Sequence, residues 1–182
     1  MKKNTTFELV MCAMFAALTA VFSQLAIPIG SVPINLATLS VFLSGGILGM
    51  MGGLVSQVVY ILLGAAGLPV FAGFSGGIGV IAGPTGGYII GYAAAAALVG
   101  FMVDKLGRKP FPLAVSMLAG LAVCYFLGTA WFMIVTKRAL WDSLTLCVFP
   151  FLIGDALKIA VATVITDRVA AIYGRLAHNA AA

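Results

Sequence analysis

Polar and apolar positions along this chain are sorted into long blocks, not short periods. No Asp, Glu, Lys or Arg occurs between residues 9 and 103. A helix that crosses a bilayer needs about 20 predominantly apolar residues, and segments 7–27, 84–103, 112–135 and 146–169 each supply them. Breakers and polar residues separate the four: Pro28, Gly30 and Pro33 after the first, residues 104–110 after the second, residues 136–143 after the third. The stretch 36–66 is largely apolar or small but is interrupted by Gly45, Gly46, Gly49, Gly52 and Gly53. It reads as one long span or as two short ones turning near Gly52 and Gly53.

The basic residues arbitrate. With six spans and a cytoplasmic N-terminus, Lys2, Lys3, Lys105, Arg108, Lys109, Arg168 and Arg175 share the cytoplasmic side, and only Lys137 and Arg138 lie outside. Five spans would divide the same residues almost evenly. Cytoplasmic loops carry an excess of Lys and Arg, so the sequence predicts six transmembrane helices with the N- and C-termini both cytoplasmic. The two helices cut from 36–66 are short, ~20–23 Å by helix rise.

Composition agrees with that reading. Of 182 residues, 63% are hydrophobic and 8% charged, against roughly 25% charged in an ordinary soluble domain. The expectation is an all-α membrane protein forming a single domain over residues 1–182, with the lipid bilayer as its surroundings. The net charge of +5 does not point to nucleic acid, because the basic residues are few and mark loop ends. Cys12, Cys124 and Cys147 show neither a CxxC pair nor zinc-type spacing and read as small buried hydrophobes. Lys2 and Lys3 lead into the first span without a small-residue cleavage site, so no cleavable signal peptide is expected.

Between the third and fourth predicted helices lies GLPVFAGFSGGIGVIAG, residues 67–83, with six glycines, one proline and no charge. An aqueous loop would be polar, and a helix would not tolerate this glycine density. Irregular backbone this apolar belongs folded into a protein-lined cavity, and the topology places it on the outer side. Gly77, Gly79 and Ala82 match a dinucleotide-binding pattern by letters alone, with no preceding strand and no acidic residue about 20 positions on. Pro84 and Thr85 open the next helix, either as simple initiation or as an N-terminus that holds an anion.

Two charges interrupt the last span. Asp155 and Lys158 lie in PFLIGDALKIAVATVI, and their i, i+3 spacing puts both on one face. Each costs roughly 2.5–3.5 kcal/mol at mid-helix on insertion scales, so such residues tend to mark function. They either face a polar ligand in an outward cavity or tie the bundle together. Asn35 either caps its helix or meets the ligand, and Gln57 either bridges helices or does the same. Ser75 and Tyr88 lie on the same outer side. Phe71 and Phe74 can cover an apolar ligand body; so can Trp131 and Trp141, unless they are interface anchors. On the first helix, Ala13 with Ala17 and Ala16 with Ala20 form small-xxx-small pairs that permit close helix approach, within the bundle or against a partner.

The runs SVPINLATLSVFLSGGILGMMGG, GAAGLPVFAGFSGGIGVIAGPTGGYIIGY and FPFLIGDALKIAVA together resemble the BioY family, the biotin-specific substrate-binding (S) component of energy-coupling factor (ECF) transporters. The resemblance spans nearly the whole chain, and GLPVFAGFSGG followed by GPTGGY carries its specificity. Ala37 stands where many members carry glutamine, so no ligand contact is assigned there. The resemblance implies a six-helix protein of the cytoplasmic membrane that captures biotin from outside. It releases the vitamin inward only with a transmembrane coupling protein and two cytoplasmic ATPase subunits. Biotin is then the transported ligand, with no cofactor and no enzymatic activity. The family's binding residues fall on Asp155, Lys158 and the glycine-rich loop, where Phe71, Phe74, Gly76 and Gly77 would enclose the fused ring. Asn35 and Tyr88 complete the expected site, and Ala13 and Ala17 are the surface for the coupling protein. Either end of biotin can meet Lys158.

Three rivals stand beside this reading. An S component for thiamin or riboflavin would share the architecture, but a cationic vitamin would call for more carboxylates than Asp155 alone. A membrane enzyme would need a metal cluster, a carboxylate pair or a nucleophile–base pair, whereas the single histidine, His178, sits in the C-terminal tail. A purely structural subunit would use Asp155 and Lys158 as a bundle tie.

Overall fold

The structure, a computed structural model, describes residues 5–27 and 32–180. Lys2, Lys3, Pro28 and Gly30 lie outside the described residues, as do the side chains of Arg175 and His178. Helix α1 (Thr5–Gln24) leads into a two-residue strand, β1 (Ala26–Ile27), which pairs antiparallel with β2 (Ile34–Asn35). There follow α2 (Ala37–Ala65), α3 (Ile78–Ala82), α4 (Gly86–Leu106), α5 (Pro110–Thr136), α6 (Leu140–Cys147), a 3-10 turn (Phe149–Phe151) and α7 (Leu152–Ala180). Among the described residues, five stretches are long and apolar enough to cross a membrane: Thr6–Gln24, Ala37–Ala65, Gly86–Leu106, Pro110–Thr136 and Leu140–Ala170.

The second stretch is not one rod. Gly49 breaks its helical geometry with φ 78° and ψ −172°, a conformation open to glycine and costly for other residues. A Cβ placed on Gly53 would lie 2.8 Å from the Cα of Gly45, whereas eight residues of continuous helix advance about 12 Å. The Gln57 Nε2 likewise donates to Ser44 Oγ at 3.2 Å. The chain therefore doubles back at Gly49, a few residues before the turn expected near Gly52 and Gly53. The limbs on either side, 37–48 and 50–65, are about 18 and 24 Å long by helix rise.

Charged groups at the end of α4 hold this reversal. Asp104 Oδ2 accepts the Met50 N–H at 3.0 Å, and Arg108 Nε donates to Gly46 O at 3.0 Å. The carboxylate thus meets the N-terminus of one limb and the guanidinium the C-terminus of the other, each favoured by the local helix dipole.

Two further differences from the sequence reading have simple causes. The loop expected to be wholly irregular contains the five-residue helix α3. The last span begins at Leu140 rather than 146 and is interrupted at Phe149–Phe151, where Pro150 removes a helix donor. Asp155 consequently sits in the first turn of α7 and not two turns into an unbroken helix.

Helix α4 is central. Of its most apolar 18-residue window 61% is buried, against 28–39% for the other four stretches. Large apolar side chains such as Leu9, Val21, Phe126, Ile153 and Leu157 are left exposed on the outer helices. That surface suits lipid and not water, and the chain is an integral membrane protein. One apolar cluster, around Phe42, Val99, Leu113 and Met117, is solidly packed; the other, around Tyr60, Phe71, Tyr88 and Tyr92, surrounds a cavity.

Candidate functional site

The cavity encloses about 780 Å³ of empty space when the open solvent at its mouth is included. Its walls come from the entry to α2, the loop after α2, and α4, α5 and α7; they are largely apolar and aromatic, with Asp155 and Lys158 among them.

Asp155 is 1% and Lys158 6% exposed. Lys158 Nζ donates to Asp155 Oδ1 at 2.7 Å and to the Asn35 carbonyl at 2.6 Å. Thr38 Oγ1 donates to the same carboxylate oxygen at 3.1 Å, and the Tyr125 hydroxyl donates to Oδ2. Placement in the first turn of α7 puts the carboxylate at the positive end of that helix. Lys158 has three N–H groups and a carboxylate about four acceptor positions. The partners among the described residues use two of the former and three of the latter. By this count one donor of Lys158 and one acceptor position on Asp155 Oδ2 are left over, on two residues that line the cavity.

The other expected residues divide. Asn35 lines the cavity, and its amide oxygen also accepts the Ala37 N–H at 3.1 Å, fixing the entry into α2. Its side chain thus serves the helix entry from a position in the cavity wall. Tyr88 lines the cavity with its hydroxyl donating to the Cys147 carbonyl at 3.3 Å and sharing a 3.2 Å bond with Thr129. Ser75 and Thr85 also lie in the wall. Phe71 does too, with its ring laid on Gly64: a Cβ there would come within 2.1 Å of the ring, so only glycine fits.

Phe74, Gly76 and Gly77 are not in the wall. Reciprocal backbone bonds between Phe71 and Ser75 close a tight loop whose tip turns Phe74 outward, 73% exposed. Gly76 is pressed against the Leu68 carbonyl, and Gly77, at φ 95°, donates its N–H to the Gly64 carbonyl at 2.7 Å. These two glycines shape the loop and do not touch the cavity. Trp131 and Trp141 also lie outside the lining: the Trp131 indole donates to the Gly83 carbonyl at 3.0 Å, and Trp141 is exposed against Phe149. Gln57 is fully buried away from the cavity, donating to Thr19, Ser44 and Ser56, and so bridges helices. All three cysteines are buried, with Cys124 in the cavity wall.

The two alanine pairs of α1 are neighbours on the helix surface but differ in burial. Ala16 and Ala20 pack toward the cavity-side core, whereas Ala13 and Ala17 are exposed.

Sequence reasoning missed Thr38, Tyr60, Tyr92 and Tyr125, all in the wall. A tyrosine inside an apolar span is indistinguishable from packing until the carboxylate it serves is located. For Thr38 and Tyr125 the usable signal was Asp155 itself, since a buried carboxylate requires donors; nothing in the sequence pointed to Tyr60 or Tyr92.

The model of the BioY family matches residues 1–175. A Pyrococcus horikoshii protein named a probable biotin transporter is 41% identical over 161 residues, covering 88% of this chain and 94% of the relative. A Thermotoga maritima biotin transporter is 37% identical over the same shares. Among solved structures, the S-component for biotin from an ECF-type ABC transporter superposes with a TM-score of 0.86 at 31% identity, covering 93% of this chain and 94% of that one. With an all-helical membrane architecture, a buried acid–base pair in an apolar cavity and a family match over almost its entire length, the chain belongs to the BioY family.

Proposed function

We propose that this chain is the biotin-binding S component of an ECF-type vitamin transporter and has no enzymatic role. It forms one domain over residues 1–182 in the cytoplasmic membrane, with α1, the two limbs of α2, α4, α5 and the α6–α7 segment as six spans. The basic-residue distribution supports this count and puts both termini in the cytoplasm. The loop 67–83 then lies outside.

The observation that carries the reading is the unused donor of Lys158 beside an unused acceptor position of Asp155. A ureido group presents N–H and carbonyl oxygen side by side, the complement of that pair, and charge-assisted bonds of this kind are strong. Phe71 and the tyrosines enclose the apolar ring. The carboxylate extends toward Tyr88 and the start of α4. Release inward requires a transmembrane coupling protein and two ATPases, with exposed Ala13 and Ala17 as the docking face.

Titration of detergent-purified protein tests this: saturable binding of biotin, with none of thiamin or riboflavin at the same concentrations, is expected. Binding of another vitamin in its place would overturn it. For the docking face, Ala13→Trp should leave biotin affinity within about threefold, less than 1 kcal/mol, while abolishing ATP-driven uptake by the assembled complex. Uptake that survives both Ala13→Trp and Ala17→Trp would place docking elsewhere.

A further inference from the structure

Gln24, the last residue of α1, is bonded out of proportion to its position at a helix end. Its Nε2 lies 3.1 Å from the Phe71 carbonyl and 3.2 Å from that of Val70, with the Ala20 and Pro69 carbonyls at 3.3 and 3.5 Å. Its Oε1 accepts the Phe74 N–H at 2.9 Å. One amide therefore grips both sides of the loop that carries Phe71 into the cavity, using its donors on one strand and its acceptor at the tip. A second link runs from the preceding residue: Ser23 Oγ is 2.8 Å from the Tyr60 hydroxyl, and the Tyr60 ring meets the Phe71 ring edge-on at 5.5 Å. The same turn of α1 thus fixes the backbone of Phe71 directly and its ring through Tyr60.

We propose that Gln24 is a positioning residue that latches the 69–75 loop over the ligand cavity and so sets how long the ligand stays bound. This rests on the biotin-binding reading above, whose site it regulates without touching the ligand: Gln24 is not in the cavity wall. The loop has no extensive secondary structure of its own beyond the Phe71–Ser75 pairing and the first turn of α3. Its closed register depends on outside partners, and Gln24 supplies both a donor and an acceptor for it. Because the latch is built on α1, the helix that exposes Ala13 and Ala17, displacement of α1 bears directly on the loop.

The test combines ligand kinetics with hydrogen exchange on the full chain. Gln24→Met keeps length and flexibility but removes the amide donors and acceptor. It should speed biotin dissociation about tenfold, with association changed less than threefold, and raise amide exchange across 69–75 with residues 7–20 unchanged. Gln24→Glu keeps an acceptor for the Phe74 N–H but sets a carboxylate oxygen against the Val70 and Phe71 carbonyls, and should loosen the loop at least as much in both measurements. Unchanged loop exchange in both variants, or exchange that rises throughout α1, overturns the latch. If the wild-type protein does not bind biotin, the proposed function fails while the exchange measurement still judges the latch.

Discussion

Asp155–Lys158 and Asp104–Arg108 are both acid–base pairs one helical turn apart, placed at opposite ends of the bundle in opposite surroundings. The first is 2.7 Å apart with side chains 2% and 8% exposed; the second is 3.4 Å apart with 47% and 39% exposed. Attraction between exposed charges is worth little. The value of Asp104 and Arg108 lies in the backbone they serve, one limb of the α2 reversal each. The buried pair has desolvation to offset, which ion pairing alone rarely does. Thr38, Tyr125 and the Asn35 carbonyl supply the balance, and the hydrogen-bonding capacity left over faces a cavity. Where the pair is solvated it organises helix ends; where it is buried it keeps hydrogen-bonding capacity beside a cavity, the feature on which the proposed ligand contact rests.

The largest effect belongs to breaking the buried pair. Lys158→Met strands Asp155 without its counter-charge, a situation that costs about 3–5 kcal/mol in folded proteins, and biotin binding should be lost. The double variant Asp155→Leu with Lys158→Met removes both charges and should melt, in detergent, near the wild-type temperature while still failing to bind. A double variant that binds biotin as wild type does would make the pair a bundle tie and nothing more.

A smaller effect is expected at Tyr125. Tyr125→Phe removes one donor from the Asp155 carboxylate while keeping the ring. Hydrogen bonds to charged groups contribute about 1.5–3 kcal/mol, so affinity should fall at least tenfold and the melting temperature by a few degrees. Unchanged affinity would mean that Thr38 and Lys158 suffice to orient the carboxylate.

These two cases also mark how much the sequence discloses. Asp155 and Lys158 stand out because the surrounding span is otherwise apolar, and a charge there must have a reason. Glycines at 45, 46, 49, 52 and 53 announce that 36–66 can fold back, and the basic residues favour that it does; the turning point itself is held by contacts from Asp104 and Arg108 that no local pattern reveals. The loop was legible as a wall of the cavity, but not which of its residues face inward. The Phe71–Ser75 bonds send Phe71 in and Phe74 out, although both are Phe-Gly-rich neighbours in sequence. Gln24 carries no local signal, because the loop carbonyls it holds, Val70 and Phe71, lie 46 and 47 residues away.

The exposed pair gives the smallest expected change and sharpens the contrast most. Asp104→Ala removes the acceptor for the Met50 N–H, and loss of a helix-capping carboxylate typically costs about 1 kcal/mol. Arg108→Ala removes a donor from Gly46 O and an exposed ion pair worth a few tenths to about 1 kcal/mol. Both should lower the melting temperature slightly. The packed cluster around Phe42, Val99 and Met117 lies between the turn and the cavity, so biotin affinity should stay within about threefold, under 1 kcal/mol. Thermal melting and ligand titration on the same preparations check this. A tenfold loss of affinity from either substitution would mean that the α2 reversal transmits to the cavity, and that the two ends of the bundle are not separate in function.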